Sequence, residues 1–188
     1  AGKACIVSVI NYFKNSQIQL FNRNSVKLKT FVKNIKIKNN NTVKTFSNLR
    51  NLNRFNNLDC IINCTSVGFD GWVYKDGYYN LKNFSPTSNV NFSKINKPNY
   101  QNFIYKNKEK IKINLNNTIN FLAKINFVTI FDIIYQPLKT NLMIAGELLG
   151  HKTVNGLEMN FMQAVEAFKI VNNLKNKDKI IKGMRNGK

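Results

Sequence analysis

The chain has 188 residues, with 29 Lys or Arg against 9 Asp or Glu, for a formal net charge of +20. That length suffices for one domain with a hydrophobic core, and no apolar run approaches a membrane span or a signal peptide, so we expect a cytoplasmic, non-membrane protein. The charge raises nucleic acid as a partner, but Lys and Asn are spread through every segment, which favours background composition over a binding stripe.

Short helices and strands alternate over the first 68 residues, which favours a parallel α/β sheet. Small residues at the start lead into an apolar run that predicts a helix ending near Asn15. The predicted elements that follow are strand Gln17–Phe21, helix Ser25–Lys33, a strand at 35–38 or 43–46, a short helix capped by Ser47, and a strand at 59–63.

Residues 69–126 break this rhythm. They are rich in Asn, Lys and Tyr, include Pro86 and Pro98, and show only fragments of alternation. We expect a surface insertion with a short strand pair or a helix of its own and with partial disorder.

Regular elements resume at residue 128. The pattern predicts a strand at 128–134, a helix at 141–149 ended by Gly150, a short extended piece at Val154, a long helix at 156–171 and a final basic helix at 177–184.

The cysteines and the single histidine give no sign of a metal site. Cys5, Cys60 and Cys64 form no CxxC pair and have no histidine near them in sequence, which favours buried free thiols in a reducing compartment. His151 follows Gly150 at a predicted helix exit, so we expect a surface or capping role for it.

Polar side chains follow the strand at 128–134. Tyr135 and Thr140 come directly after it, at the carboxyl end of a strand, where open α/β sheets bind their ligands. Gly156 then opens an amphipathic helix that carries Met159 and Gln163 one turn apart on one face.

The residues that follow the predicted strand Gln17–Phe21 bear on the choice between NAD and NADP. In a dinucleotide-binding fold, a carboxylate at the end of the second strand binds the ribose 2′-hydroxyl, whereas a nearby Arg accepts a 2′-phosphate. Here the strand ends in Asn22-Arg23-Asn24-Ser25-Val26-Lys27, with two cations and no acid. A 2′-phosphate site and an ordinary basic turn on a basic protein account for this pattern about equally well, and the pattern favours NADP over NAD only together with the resemblance described next.

Three segments together resemble the C-terminal half of shikimate dehydrogenase. Asn22-Arg23-Asn24 is similar to that family's Asn-Arg-Thr motif, although Asn24 replaces the usual Thr. Ile61-Ile62-Asn63-Cys64-Thr65-Ser66-Val67-Gly68 resembles its Ile-Asn-Ala-Thr-Ser-x-Gly strand end. The third match runs from Asp132 through Gln163.

The resemblance implies a role for each matched position. The NADP(H) contacts would include Ile133 at the nicotinamide carboxamide and Gly156 with Met159 around the nicotinamide ring. Tyr135 and Gln163 would contact shikimate. The remaining cofactor positions would be Asn22, Arg23, Asn24, Ser25, Lys27, Thr65 and Ser66. No catalytic residue is carried over, because the family's Lys/Asp pair belongs to an N-terminal substrate domain that nothing here matches.

The expected fold is a Rossmann-like doubly wound parallel sheet that lacks its first strand and the N-terminal substrate domain. Ala1-Gly2-Lys3-Ala4 matches only the tail of the family's glycine-rich phosphate loop. The first strand is central in the order 3-2-1-4-5-6, so its absence would leave the second and fourth strands with unpaired inner edges. We expect residues 1–188 to form this partial domain, with the insertion at 69–126 and C-terminal helices at 156–188.

The activity implied is reduction of 3-dehydroshikimate to shikimate by NADPH, with the chain alone inactive and the missing N-terminal half as its partner. Two alternatives stay open. One is a degenerate, non-catalytic relative that binds a protein or RNA partner; the other is a dehydrogenase for a different polyol such as quinate. A homodimer and a place in a multienzyme polypeptide also stay open.

Overall fold

The computed structural model describes residues 2–49, 55 and 57–186. It is a mixed α/β structure with two parallel sheets and one antiparallel hairpin. In chain order the elements are α1 (Gly2–Tyr12), β1 (Gln17–Phe21), α2 (Ser25–Lys33), β2 (Thr42–Phe46), β3 (Cys60–Asn63), β4 (Trp72–Tyr74), β5 (Tyr78–Asn80), α3 (Tyr100–Leu122), β6 (Thr129–Asp132), α4 (Asn141–Leu148), β7 (Lys152–Val154), α5 (Leu157–Val171) and α6 (Lys177–Asn186).

The first sheet pairs β1 with β2 in parallel, from Gln17 opposite Thr42 to Phe21 opposite Phe46. Helix α2 makes the crossover between them, as parallel neighbours require. It starts where the Asn24 side chain accepts a 2.8 Å hydrogen bond from the Lys27 backbone N–H, which satisfies one of the free donors of its first turn. The crossover therefore presents the turn 22–24 at the carboxyl end of β1.

The second sheet has the parallel order β3-β6-β7. Its main core lies between β6 and the helices α3 and α4, where Leu122, Val128, Ile130 and Leu142 are fully buried. Gly146 in α4 faces Ile130, and an added methyl group there would meet the end of that side chain. Close packing of α4 on β6 fixes the loop that joins them.

The two parallel sheets are separate. Among the described residues, β1 has a ladder partner only in β2, and β3 has one only in β6. One edge of β1 and one edge of β3 therefore carry backbone N–H and C=O groups without a strand beside them.

Residues 69–126 form the hairpin β4–β5, an extended loop and the 23-residue helix α3. The expected strand pair and helix are both present. In place of the partly disordered surface insertion that we predicted, the segment packs around an apolar cluster in which Phe84 and Phe103 are fully buried, and the end of α3 contributes Leu122 to the main core. Trp72 adds an edge-on ring contact to Phe103, with centroids 5.8 Å apart.

Two buried asparagines on α3 hold this loop. Asn114 accepts a hydrogen bond from the Ser85 N–H at 2.8 Å and donates to the carbonyls of Ser85 and Asn89. One heptad earlier, Asn107 accepts from the Ser93 N–H at 2.6 Å and donates to the Ser93 carbonyl. Each amide replaces a missing strand neighbour for the loop backbone, because it offers a donor and an acceptor together. An Asn-rich composition is therefore compatible with a folded segment here.

Most of the predicted elements are confirmed. Strand β1 and helix α2 have the predicted bounds, and β2 occupies the second of the two proposed positions. The short helix predicted after Ser47 falls largely on residues 50–54 and 56, which lie outside the described residues. None of the helices that the structure describes is long and apolar enough to cross a membrane.

His151 corrects the expectation of a surface or capping residue. It is 7% exposed, and its Nε2 lies 3.2 Å from the Leu122 carbonyl oxygen, which accepts a hydrogen bond in the Nε2–H tautomer. The reason is the sharp turn at Gly150, which has a φ of 82° and directs the next residue back beneath the end of α3.

Replacement of Asn114 by Ala should lower the free energy of unfolding by about 2–4 kcal/mol, because it leaves the buried Ser85 N–H and carbonyl without their partner and removes the hydrogen bond to the Asn89 carbonyl. Asn117→Ala, on the exposed side of the same helix, is the matched control and should be neutral or slightly stabilising. Urea unfolding followed by circular dichroism measures both. Equal effects of the two substitutions would contradict the role given to Asn114.

Candidate functional site

The carboxyl ends of β3 and β6 are joined by one buried carboxylate. Asp132 is fully buried, and its Oδ1 accepts hydrogen bonds from Asn63 Nδ2 at 3.0 Å and from the Ile134 N–H at 3.1 Å. Its Oδ2 accepts from the Thr140 hydroxyl at 2.8 Å. The Thr140 oxygen also caps α4 by accepting from the Met143 N–H at 3.4 Å. Asp132 thus fixes two strand ends and a helix start at once.

Asn63 extends this network into the loop after β3. Its Oδ1 accepts from both the backbone N–H and the hydroxyl of Thr65, the latter at 2.7 Å, and its Nδ2 also donates to the Val67 carbonyl. The Thr65 hydroxyl in turn accepts from the Val67 N–H. The donor proton of Thr65 is therefore used inside the protein, whereas Ser66 is exposed and shows no side-chain partner among the described residues. Ser66 is the freer hydroxyl for a ligand.

Burial raises the pKa of Asp132 above its ordinary value. The hydrogen bonds from the Ile134 N–H, Thr140 and Asn63 act in the opposite direction, since they stabilise the charged form, but burial is the larger influence. The carboxylate has no cation beside it in the network. Its role in this arrangement is to hold the strand ends, since no face of it reaches solvent.

A cleft of about 250 Å³ opens beside this network, and we call it the strand-end cleft. Its walls are apolar apart from the hydroxyl groups of Thr65, Ser66 and Tyr135. The residues that line it are Cys64, Thr65, Ser66, Phe69, Ile133, Ile134 and Tyr135. Four residues that the sequence singled out are thus brought together: Thr65, Ser66, Ile133 and Tyr135.

Gly156 lies directly against the backbone of Ile133. An added Cβ at position 156 would overlap the Ile133 carbonyl, and the Gly156 N–H donates to the Ile134 carbonyl at 3.1 Å. The contact therefore requires glycine for reasons of space. It sets the start of α5 against the cleft wall.

Met159 and Gln163 do not line the strand-end cleft. They lie on α5, one turn apart as predicted, with Met159 half-buried and Gln163 exposed.

The other predicted cofactor residues, among them Arg23 for the 2′-phosphate, lie elsewhere, in the β1–α2 turn and the first turn of α2. Asn22, Arg23, Asn24, Ser25 and Lys27 are all exposed. Asn22 Oδ1 accepts from the Asn24 N–H at 2.9 Å, which gives the turn a fixed shape. Ser25 lines a small hollow of about 50 Å³ against Thr45, Phe46 and Ser47. Arg23 forms no ion pair with any residue that the structure describes, so its guanidinium is free to bind an anion.

The cysteines are free, but they are less buried than the sequence suggested. Cys60 is exposed and Cys64 is half-buried in the strand-end cleft. Burial, followed by the neighbouring Cys5 thiol, raises the pKa of Cys64 to about 12. A thiol with so high a pKa stays protonated at neutral pH and is a poor nucleophile. Within the described residues, no three His, Cys, Asp or Glu side chains group into a metal site.

Sequence reasoning missed Phe69 and the extent of the Asp132 network. Phe69 follows Gly68 at the start of the irregular segment, where no periodicity marks it. Thr140 carried a usable signal, because a Thr just before an apolar helical run is typical of an N-cap.

Comparison with known proteins gives one consistent result, although no family model matches the chain. A 56-residue segment is 39% identical to shikimate dehydrogenase (NADP(+)) of Thermococcus kodakarensis, covering 30% of this chain and 21% of that protein. A 69-residue segment is 41% identical to the enzyme of the same name from Staphylococcus epidermidis, covering 37% of this chain and 24% of that protein. The chain is a partial homologue of the shikimate dehydrogenases.

The fold agrees with this relationship. A crystal structure of shikimate 5-dehydrogenase from Listeria monocytogenes superposes with a TM-score of 0.56 at 20% identity, over 96% of this chain and 50% of that one. That protein was solved in complex with shikimate and NAD. The chain therefore spans about half the length of a shikimate dehydrogenase of known structure, and the matched segments span less than a quarter of the curated relatives named above.

Asp132→Ala should lower the free energy of unfolding by about 2–4 kcal/mol, because three buried donors lose their acceptor. Asp132→Asn keeps an acceptor oxygen in place and should cost less than half as much. Urea unfolding at pH 7 measures the difference. A loss in the Ala variant no larger than that in the Asn variant would show that the carboxylate does not hold the strand ends.

The same pair predicts a pH dependence. Since the pKa of Asp132 is raised in the folded state, the folded protein binds this proton more readily than the unfolded chain. The wild type should therefore gain stability relative to Asp132→Asn as the pH falls from the folded-state pKa to the ordinary value of about 3.9. The gain is lost as the pH rises through that window. A difference between the two proteins that stays constant from pH 7 to pH 4 would contradict the assignment.

Gly156→Ala should destabilise the protein by about 2–3 kcal/mol, since the new methyl group and the Ile133 carbonyl cannot occupy the same space. Gly183→Ala is the control, because Gly183 lies inside α6 with no atom within 4 Å of an added Cβ. That change should stabilise the helix by up to about 1 kcal/mol. Thermal unfolding measures both, and a neutral Gly156→Ala would refute the close contact.

Proposed function

We propose that this chain is the NADP-binding part of a shikimate dehydrogenase, which reduces 3-dehydroshikimate to shikimate. The observation that carries the proposal is the meeting of Thr65, Ser66, Ile133 and Tyr135 around the strand-end cleft, with Gly156 against the wall, in a partial homologue of these enzymes. When bound, NADPH would supply the hydride. The residues of this chain would hold and orient the cofactor and the substrate ring.

The β1–α2 turn supports NADP as the nucleotide. Arg23 is exposed and unpaired among the described residues, and a guanidinium binds a phosphate through two parallel hydrogen bonds. The segment of sequence that contains it is also cationic, because residues 1–58 include eleven Lys or Arg and no Asp or Glu. The positive electrostatic potential of this segment attracts an anionic ligand such as a 2′-phosphate.

The arrangement of strands supports the doubly wound fold. The described strands form the separate parallel sheets β1-β2 and β3-β6-β7. We propose that the two sheets belong to one layer, in which the order would be 3-2-4-5-6 with the strands numbered from the second and one position between β1 and β3. A further parallel strand at that position would complete the order 3-2-1-4-5-6 of dinucleotide-binding domains. We propose that the active protein has such a strand there, together with a substrate domain.

Substrate contacts would come from Tyr135 and Gln163. Tyr135 lines the strand-end cleft and is 37% exposed, so its hydroxyl is accessible to a ring hydroxyl of the substrate. Gln163 is exposed on α5. A polyol acid needs such partners, because a closed site that leaves its hydroxyls unpaired binds it poorly. Quinate offers ring hydroxyls to the same two side chains, and such a related polyol is the alternative substrate within this class.

The second candidate is a non-catalytic module that binds RNA or an acidic protein. The acid-free unit at residues 1–58 favours it, because clustered cations neutralise a polyanion without any specific site. It predicts that every cation of this unit contributes about equally, whereas an NADP site gives Arg23 a special role.

Titration of the full-length protein, with the proposed further strand and substrate domain in place, with NADPH and NADH separates the two candidates. We expect NADPH to bind more tightly, and Arg23→Ala to weaken NADPH by about tenfold or more, since a charged hydrogen bond contributes about 1.5–3 kcal/mol. Lys33→Ala removes the same charge at the far end of α2 and should change NADPH affinity little. Equal affinity for the two nucleotides, or equal losses in the two variants, would reject the NADP assignment. Tight binding of single-stranded RNA with equal losses in both variants would favour the second candidate.

A further inference from the structure

We propose that Phe69 is a wall of the strand-end cleft that contacts the nicotinamide ring of the bound dinucleotide, and that Gly71 provides the space in which the Phe69 ring lies. The inference rests on the proposed function and adds a ligand-contacting residue to it. Neither position is among the residues that the sequence motifs singled out.

The Phe69 ring is held in position from the side opposite the cleft. The side chain lines the cleft and is 39% exposed, so one part of the ring faces the open space. On its other side lies Gly71, where an added Cβ would overlap the edge of the ring. Any side chain at position 71 would therefore move Phe69 from its place in the wall.

The two aromatic walls belong to loops that are hydrogen-bonded to each other. The Phe69 N–H donates to the Ser66 carbonyl at 3.1 Å, which closes a turn at the end of the β3 loop. The next residue, Asp70, donates its N–H to the Gln136 carbonyl at 3.1 Å, directly after Tyr135. The loop that carries Phe69 is therefore tied to the loop that carries Tyr135, and both residues line the cleft together with Thr65 and Ser66.

The chemistry of the cleft selects a neutral ring over an acid. None of the residues that line it carries a charge at neutral pH, so a ligand carboxylate inside it would lose its hydration without gaining a counter-charge. Its volume of about 250 Å³ is below the roughly 300–1,000 Å³ of sites that enclose a drug-sized ligand. It suits a single flat ring that stacks on apolar walls and turns its amide toward hydroxyl groups. The nicotinamide of NADPH meets these requirements.

Two ligands that differ only in the nicotinamide test the inference by calorimetric titration. In Phe69→Ala we expect the dissociation constant of NADPH to rise about three- to tenfold, as for loss of one aromatic contact. The dissociation constant of 2′-phospho-ADP-ribose, which lacks the nicotinamide, should not change. Gly71→Ala should show the same selective loss, because it displaces the ring while the phenylalanine is retained.

Two further variants serve as controls. Gly183→Ala should leave both affinities unchanged, and Phe69→Leu, which keeps an apolar wall, should give a smaller loss than Phe69→Ala. Unchanged NADPH affinity in Phe69→Ala, or equal losses for the two ligands, would overturn the role of Phe69 while leaving the nucleotide assignment intact. The titrations use the full-length protein, with the proposed further strand and substrate domain in place. If that wild type binds neither ligand, the proposed function fails, and this inference fails with it.

Discussion

The site region depends on one buried carboxylate with no cation beside it. Asp132 gathers an amide, a backbone N–H and a hydroxyl from three different segments, and each donor would otherwise be buried without a partner. Because those donors come from the end of β3, the exit of β6 and the cap of α4, the position of each is set relative to the others. The loops that line the cleft are therefore also held in fixed positions relative to each other.

The remaining features attach to this point by close backbone contacts. Gly156 lies on the Ile133 carbonyl, so α5 begins where the wall of the cleft requires it. From the other side, Asn141 Nδ2 donates to the Asn83 carbonyl at 2.9 Å, which ties the segment 69–126 to the start of α4. The irregular segment is thus a support for the loop after β6, and its first residues form part of the cleft itself.

The local sequence pattern was sufficient to predict the regular elements and half of the candidate site. The spacing of apolar residues predicted the bounds of β1 and α2, since an alternating run is typical of a strand and a capped amphipathic run is typical of a helix. It could not give the structure of residues 69–126, whose stability comes from contacts between Asn114 or Asn107 and loop backbone far away in sequence. Polar residues normally indicate exposure, and these two are buried because each completes hydrogen bonds that only the folded loop presents.

The candidate site divides in the same way. Motifs identified Thr65, Ile133, Tyr135 and Gly156, because strand ends and helix starts are marked by local sequence. No sequence motif predicted Phe69 as a site residue, since its place in the cleft follows from a turn and from the absence of a side chain at Gly71. His151 was misplaced for a related reason: the turn at Gly150 directs its ring inward, and no periodic signal records a single change of direction.

Among the described residues, one flank of β1 and one flank of β3 have no strand beside them. A row of free peptide groups on an apolar strand is a template for any extended chain that comes near, and Ile62 on β3 is partly open to solvent. Two molecules that meet at these flanks would pair with each other, so self-association should increase with concentration. A strand laid between the two flanks would remove that hazard and join the halves of the molecule in a single hydrogen-bonded layer.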